Sequence, residues 1–403
     1  MSNKKVSDLK IQQTMTQQAS NRLLSLDILR GITIAGMILV NNPGSWGSIY
    51  APLQHATWNG LTPTDLIFPF FMFIMGISTY ISLRKFNFEY SKATVQKIIK
   101  RTIVIFLIGL GLAWFGLSCS NFRSLSDNDL GFFERFFQSI TNMENIRILG
   151  VMQRLALAYG ITSLVAIFVK HKYIPYIITV TLFAYFLLLL FGNGFEFSEN
   201  NIISVVDRAI LGVNHVYKDA GIAIDPEGFL STIPAICHVL VGLCCGKILM
   251  EVKDNQVRIT RLFILGTILT FAGFLLDYGC PINKKIWSPT FLLATCGLAS
   301  SFLALLIWII DIKGYKRWSV FFESFGVNPL FIYVLAGVLS ILVGNITFTY
   351  NSETISLHGF IYNEVLLPCL GDYLSSFVFA LLFVAANWFI GNILYKRKIY
   401  IKI

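Results

Sequence analysis

Apolar runs of about twenty residues recur from end to end of the chain, separated by short polar stretches. They define ten candidate spans near residues 23–41, 65–83, 98–117, 150–169, 174–192, 229–249, 258–277, 289–311, 319–341 and 374–395. A helix of that length crosses the ~30 Å hydrocarbon layer of a bilayer. The pattern predicts an all-α polytopic membrane protein with one transmembrane domain over residues 22–403, preceded by a polar tail over 1–21. No short apolar core with a small-residue cleavage site follows the tail, so the first span is expected to act as its own insertion signal.

Composition agrees with the pattern. Of 403 residues, 55% are hydrophobic and only 13% charged, against roughly 25% charged in a soluble globule. Lys and Arg then orient the spans. With the N-terminus inside, the inner segments hold 23 of them and the outer segments 7. Both termini are therefore expected in the cytoplasm, and the net charge of +10 faces anionic lipid headgroups and not nucleic acid. Seven cysteines are present, with Cys119, Cys280 and Cys369 near the outer side, where one disulfide is an option. No CxxC or Cys/His zinc spacing occurs, so no metal is expected.

Ionisable residues inside spans are costly and draw attention. Asp27 and Arg30 lie three apart on one face of the first span, where they can neutralise each other. Arg154, one turn into the fourth span beside Gln153, either snorkels outward or faces a polar cavity. Asn41 ends the first span on the outer side. The loop that follows has no Lys or Arg and is rich in Gly and Trp, with His55 at its centre and Trp46, Trp58 and Asn59 around it. Thr62-Pro63-Thr64-Asp65 then starts the second span, with Thr62 as cap, Pro63 in the first position and Asp65 in the first turn. An uncharged loop of this kind, held before a helix N-terminus, suits a polar substrate. His171, His215, His238 and His358 have no comparable surroundings and are expected to be solvated or to pack.

RLLSLDILRGITIAGMILVNN, HATWNGLTPTDLIFPFFMFIMG, RILGVMQRLALAYG, VDRAILGVNHVY, DPEGFLSTIPAI, INKKIWSP and LYKRKIYIKI follow one another in this chain. That ordered set strongly resembles the heparan-α-glucosaminide N-acetyltransferases and their bacterial relatives, over nearly the whole chain after residue 21. The resemblance implies a multispan acyltransferase that takes the acetyl group of acetyl-CoA on the cytoplasmic side and delivers it to a glucosamine amine on the other. Its active histidine, in a His-x-x-Trp-Asn-Gly-Leu-Thr motif, falls on His55, and its active-site asparagine falls on Asn41 after Val40. Trp58, Asn59, Asp65 and Trp46 are then candidate substrate-binding residues. Arg154 and Gln153, with Lys100 and Arg101 on the cytoplasmic side, are candidates for acetyl-CoA. For a bacterial-type relative, amino sugars or cell-wall oligosaccharides are the expected acceptors and the bacterial inner (plasma) membrane the expected location. Multispan enzymes of this kind often dimerise, so a homodimer stays open.

Two roles fit His55: nucleophile through an acetyl-imidazole, or general base for direct attack of the amine on the thioester. The direct route is the simpler, needing no reactive intermediate beside an aqueous face. Asn41 and the free N–H groups at the start of the second span are candidate donors to the developing oxyanion. Two other classes compete. A cell-surface polysaccharide O-acyltransferase shares a Leu-Asp-x-Leu-Arg-Gly-like first span but not the later motifs. A transporter of amino sugars or wall fragments shares the span count and intramembrane polar groups, and would yield no acetylated product.

Overall fold

A computed structural model describes residues 23–127 and 130–401; the polar tail and the last two residues of LYKRKIYIKI lie outside that range. Among the described residues, nine helices are long and apolar enough to cross a membrane. They are α1 (Leu24–Asn41), α2 (Ile67–Arg84, entered through a 3-10 turn at Pro63–Leu66), α3 (Lys92–Ser124), α5 (Val151–Phe168), α6 (Ile174–Phe191), α8 (Thr232–Glu251), α9 (Asn255–Leu276), α10 (Pro289–Leu306, run on by a π-turn at Ile307–Ile312) and α13 (Asp372–Lys396). Smaller elements fill the connections. They include α4 (Phe132–Thr141), α7 (Ile202–Leu211), a hairpin of β1 (Lys218–Asp219) and β2 (Ile222–Ala223), and a hairpin of β3 (Thr347–Tyr350) and β4 (Glu353–Ser356), while α11 (Val320–Gly326) and α12 (Pro329–Asn345) form a bent apolar pair. Both hairpins are antiparallel, with Asp219 opposite Ile222 and Tyr350 opposite Glu353.

The ninth expected span is not one straight helix. It divides into α11 and α12, bent by 75° at Val327-Asn328, because Pro329 disfavours the helical conformation in the residue before it and cannot donate a backbone bond across the break. The third span is longer than expected. At 33 residues and ~1.5 Å each it extends about 50 Å, and its first turns carry Lys92, Lys97, Lys100 and Arg101 beyond the apolar stretch.

Helices α1, α2, α5, α8 and α10 are the most buried, whereas α3, α6 and α9 show most of their surface outward. On α9 the outward residues include Phe263, Ile264, Ile268 and Phe271, as lipid contact requires. Lipid is as apolar as leucine, so helices associate by close packing, which small residues permit. Gly76 on α2 and Gly242 on α8 illustrate this: a Cβ on Gly76 would stand 2.1 Å from the Val239 carbonyl oxygen. The amphipathic α4 lies along the end of α3, with Arg135 Nε on the Phe122 carbonyl at 2.6 Å and Trp114 Nε1 on that of Ile140 at 3.0 Å. Its Phe132, Phe133 and Phe137 stay exposed.

The expected Asp27–Arg30 pair forms, at 3.0 Å. Arg30 also donates to Ser78 Oγ and the Gly326 carbonyl, so the pair ties α1 to α2 and α11. Gly326 lies against the Asp27 carbonyl, and Asn328 bonds the backbones of Ile399 and Ile401. Both ends of the described chain therefore meet at the end of the bundle where α1 begins. His55, beyond the other terminus of α1, sits at the opposite end. All seven cysteines are free, including Cys119, Cys280 and Cys369, so the optional outer disulfide is not formed.

Candidate active site

The entry to α2 builds the site. Pro63 starts the helix, and Asp65 two residues later turns its carboxylate back over the preceding loop. One oxygen, Oδ2, accepts from the backbone N–H of Ala56 at 3.1 Å, the N–H of Thr62 at 3.2 Å and the Thr62 hydroxyl at 3.0 Å. The other, Oδ1, faces His55 Nδ1 at 2.6 Å. Asp65 is 1% exposed and His55 42% exposed, so a buried anion holds a half-open imidazole. With Nδ1–H donating to Asp65, Nε2 keeps its lone pair on the open side. That is the pairing by which a carboxylate fixes a histidine's tautomer for base or nucleophile work.

The α9–α10 loop completes the constellation. Lys284 Nζ lies 3.0 Å from His55 Nδ1, 3.3 Å from Nε2 and 3.5 Å from Asp65 Oδ1. Contacts to the His55 loop flank it on both sides. Gly60 N–H donates to the Ile282 carbonyl at 2.8 Å, Asn283 Nδ2 to Asn59 Oδ1 at 3.1 Å, and Lys285 Nζ to the Thr57 carbonyl at 2.6 Å. The loop is itself braced. Asn283 N–H bonds Ser288 Oγ, Tyr185 donates to the Ile286 carbonyl, and the buried Trp287 adopts φ 49°, a left-handed conformation costing roughly 1–2 kcal/mol. Such local strain persists where the surroundings over-determine it. Burial pulls the Lys284 ammonium below the ordinary lysine range, against Asp65 and Glu227, which favour its charge.

Behind Lys284 lies a second charged group. Arg147 makes a forked pair with Asp225, Nε to Oδ2 at 3.0 Å, and also reaches Glu227. Burial alone would raise the Glu227 carboxyl, but Arg147, Arg154 and Lys284 hold it below the usual carboxylate range. Asp207 on α7 accepts the N–H of Phe229 at 2.8 Å and fixes the backbone of this DPEGF turn; a Cβ on Gly228 would collide with its Oδ2. Burial pushes the Asp207 carboxyl up to about 7.

The candidates from sequence thus separate. His55, Asp65 and Asn59 come together. Trp58 instead donates its indole N–H to the Phe195 carbonyl at 2.8 Å and packs at a tilt against the Phe197 ring, anchoring the loop rather than lining its mouth. Trp46 is 69% exposed on the preceding turn, beside Ser45, which is tied to Ser376. Asn41 lines a cavity of about 190 Å³ between α1, α3 and α12 together with Tyr333, which lies within electrostatic reach of Glu227 and Arg147. Arg154 does not snorkel. It is fully buried, donates Nη2 to Ser231 Oγ and the Gly228 carbonyl, and stacks 5.0 Å from the Trp287 ring, while its Nε and Nη1 have no partner among the described residues. Gln153 is buried against Gly109. Lys100 is exposed, and Arg101 stacks on Tyr159; both start α3 at the end opposite His55. The other histidines bond backbone carbonyls (His171, His215, His358) or pack on Trp287 (His238).

Lys284, Glu227, Asp225, Arg147 and Asp207 were not singled out from sequence. Two signals were available: a Lys-Lys pair on the side expected to be poor in cations, and two carboxylates in an otherwise apolar approach to a span.

Comparison with known proteins finds a matching family and relatives. Residues 22–278 match the family model described as heparan-alpha-glucosaminide N-acetyltransferase, catalytic. The heparan-alpha-glucosaminide N-acetyltransferase of Mus musculus is 27% identical over 374 residues, covering 79% of this chain and 54% of the mouse protein. That of Homo sapiens is 26% identical over 374 residues, covering 78% of this chain and 52% of the human protein. The chain spans about half the length of these curated relatives.

Proposed function

The chain belongs to the heparan-alpha-glucosaminide N-acetyltransferase family, and on that premise we propose that it is an integral-membrane acetyltransferase that moves the acetyl group of acetyl-CoA onto the amine of a glucosamine-type sugar. The observation that carries the reading is the His55–Asp65 pair at 2.6 Å, opening outward at the end of the bundle away from both chain ends. In sequence the inner segments are rich in Lys and Arg, which supports cytoplasmic chain ends, acetyl-CoA entry from that side and His55 at the outer face. The location that follows is a bacterial inner membrane, and the acceptors are amino sugars or wall oligosaccharides.

In the reaction, the amine nitrogen attacks the thioester carbonyl while His55 Nε2 takes its proton. Asp65, accepting from Nδ1–H, holds the ring in the required tautomer and stabilises the imidazolium as it forms. The thioester oxygen gains charge, for which the Asn41 amide is the proposed donor. Asn59 and Trp46 border the mouth on the acceptor's approach, and Trp58 keeps the loop in place. Arg154 and Gln153 lie deeper, on the proposed route of the acyl donor, and Lys100 and Arg101 stand where CoA phosphates would arrive.

Purified protein given acetyl-CoA and a panel of glucosamine derivatives should form an alkali-stable N-acetyl product, and His55→Ala should form none. No product from any amine, or equal product from His55→Ala, refutes the reading. Labelled acetyl trapped on the wild-type protein by acetyl-CoA alone, and absent from His55→Ala, would replace direct transfer by an acetyl-histidine intermediate.

A further inference from the structure

The proposed reaction leaves a proton imbalance at the sulfur. Attack of the amine delivers a proton to His55, while cleavage of the C–S bond releases CoA as a thiolate that needs one. We infer that Lys284 is a catalytic residue of this reaction, the acid that protonates the departing thiolate and is then recharged by His55. The inference rests on the acetyltransferase reading above.

Its geometry is the argument. Lys284 Nζ is the one amine within 3.0–3.3 Å of the His55 ring nitrogens among the described residues, and it comes from a segment 229 positions away in sequence. Three inter-loop contacts, through Ile282, Asn283 and Lys285, hold it there on both sides. A cation used only to solubilise the surface has no need of such bracing. The groups that face it are His55 and Asp65 from the opposite loop, Glu227 from the DPEGF turn and the neighbouring Lys285. Two carboxylates thus favour its charged, proton-bearing form, and partial burial keeps that proton transferable.

The step balances as follows. The C–N bond forms and the C–S bond breaks. The proton lost by the attacking nitrogen goes to His55 Nε2, and the thiolate takes a proton from Lys284 Nζ. The imidazolium then passes its proton to the neutral Lys284 amine across the 3.3 Å gap, so both side chains return to their starting states and one proton has moved from amine to thiol.

The test varies the leaving group. Lys284→Arg keeps a cation of similar reach that does not give up its proton, and Lys284→Met removes the charge. Each is compared with wild type using acetyl-CoA and using an acetyl ester of an aryl thiol, whose thiolate leaves without protonation, on an amine that the wild type acetylates. With acetyl-CoA, kcat should fall by about 10²–10⁴ in Lys284→Arg, the range of a lost acid catalyst, while acetyl-CoA binding stays within about threefold. With the aryl thioester the same variant should lose less than about tenfold. Equal losses with both donors overturn the assignment, as does full activity of Lys284→Arg with acetyl-CoA. If Lys284→Met does not fold, Lys284→Arg decides alone. A wild type that acetylates no amine with either donor is a different failure: it removes the acetyltransferase reading itself.

Discussion

Asp65→Asn changes one atom and should disable His55 without moving it. In the native protein Oδ2 accepts two backbone N–H groups, from Ala56 at 3.1 Å and Thr62 at 3.2 Å, so the oxygen of an asparagine amide must take that place. The amide NH2 then faces His55 Nδ1 and donates to it, which forces the ring proton onto Nε2 and removes the lone pair from the reacting side. Recovering the right tautomer means flipping the amide and leaving those two N–H groups facing another donor. At about 1–3 kcal/mol for each unsatisfied group, the barrier rises by about 2–6 kcal/mol. With ~1.4 kcal/mol per decade, kcat should fall by about 30-fold to 10⁴-fold. The assay is the initial rate of acetyl-CoA-dependent N-acetylation in detergent, with acceptor KM expected to change by less than about threefold and the variant eluting as folded protein. A folded Asp65→Asn enzyme within tenfold of the wild-type kcat would refute the tautomer argument.

Two other outcomes are expected. Asn41→Ala should lower kcat by about 10²–10³ with acetyl-CoA binding intact, the usual cost of an oxyanion donor, and full turnover would take Asn41 out of the site. Asp207 has a folded-state value of about 7, chiefly through burial, above its unfolded value, so the folded protein holds that proton more tightly. Its contribution to stability is therefore greatest at low pH and is lost as pH rises towards and through 7. Melting temperature in detergent should accordingly fall between pH 5 and 7.5 more steeply in wild type than in Asp207→Asn, and parallel slopes would contradict the assignment.

Span positions were legible because each buries its backbone bonds within one apolar run, and eight of the ten expected spans stand as straight helices close to their expected bounds, while the third runs on at both ends. The break at Asn328 was not, since the apolar signal continues across it and only Pro329 marks the bend. At the site, His55 was visible in its loop and Asp65 in the first turn of the second span, but Asp65 was read as a substrate-binding candidate, and the fold of the loop over the helix start makes it the partner of His55 instead. The ion pair of Asp27 and Arg30 was legible because its partners lie three apart on one helix face. Lys284 was invisible by periodicity, because its partner lies 229 residues away and only the folding of the α9–α10 loop brings the two together. Arg154 shows the reverse case. Its residue type raised two options, and packing against Trp287 and Ser231 chose the buried one.

The central claim is that one site, at the end of the bundle opposite the chain termini, acetylates an amine on that side with acetyl-CoA supplied from the other. Sealed proteoliposomes of known orientation test it, with labelled acetyl-CoA confined to the face that carries the termini and a glucosamine derivative to the opposite face. The account predicts labelled N-acetyl sugar accumulating only in the compartment opposite the acetyl-CoA, and none with His55→Ala. Product formed only when both substrates share a compartment, or formed equally by His55→Ala, would contradict it.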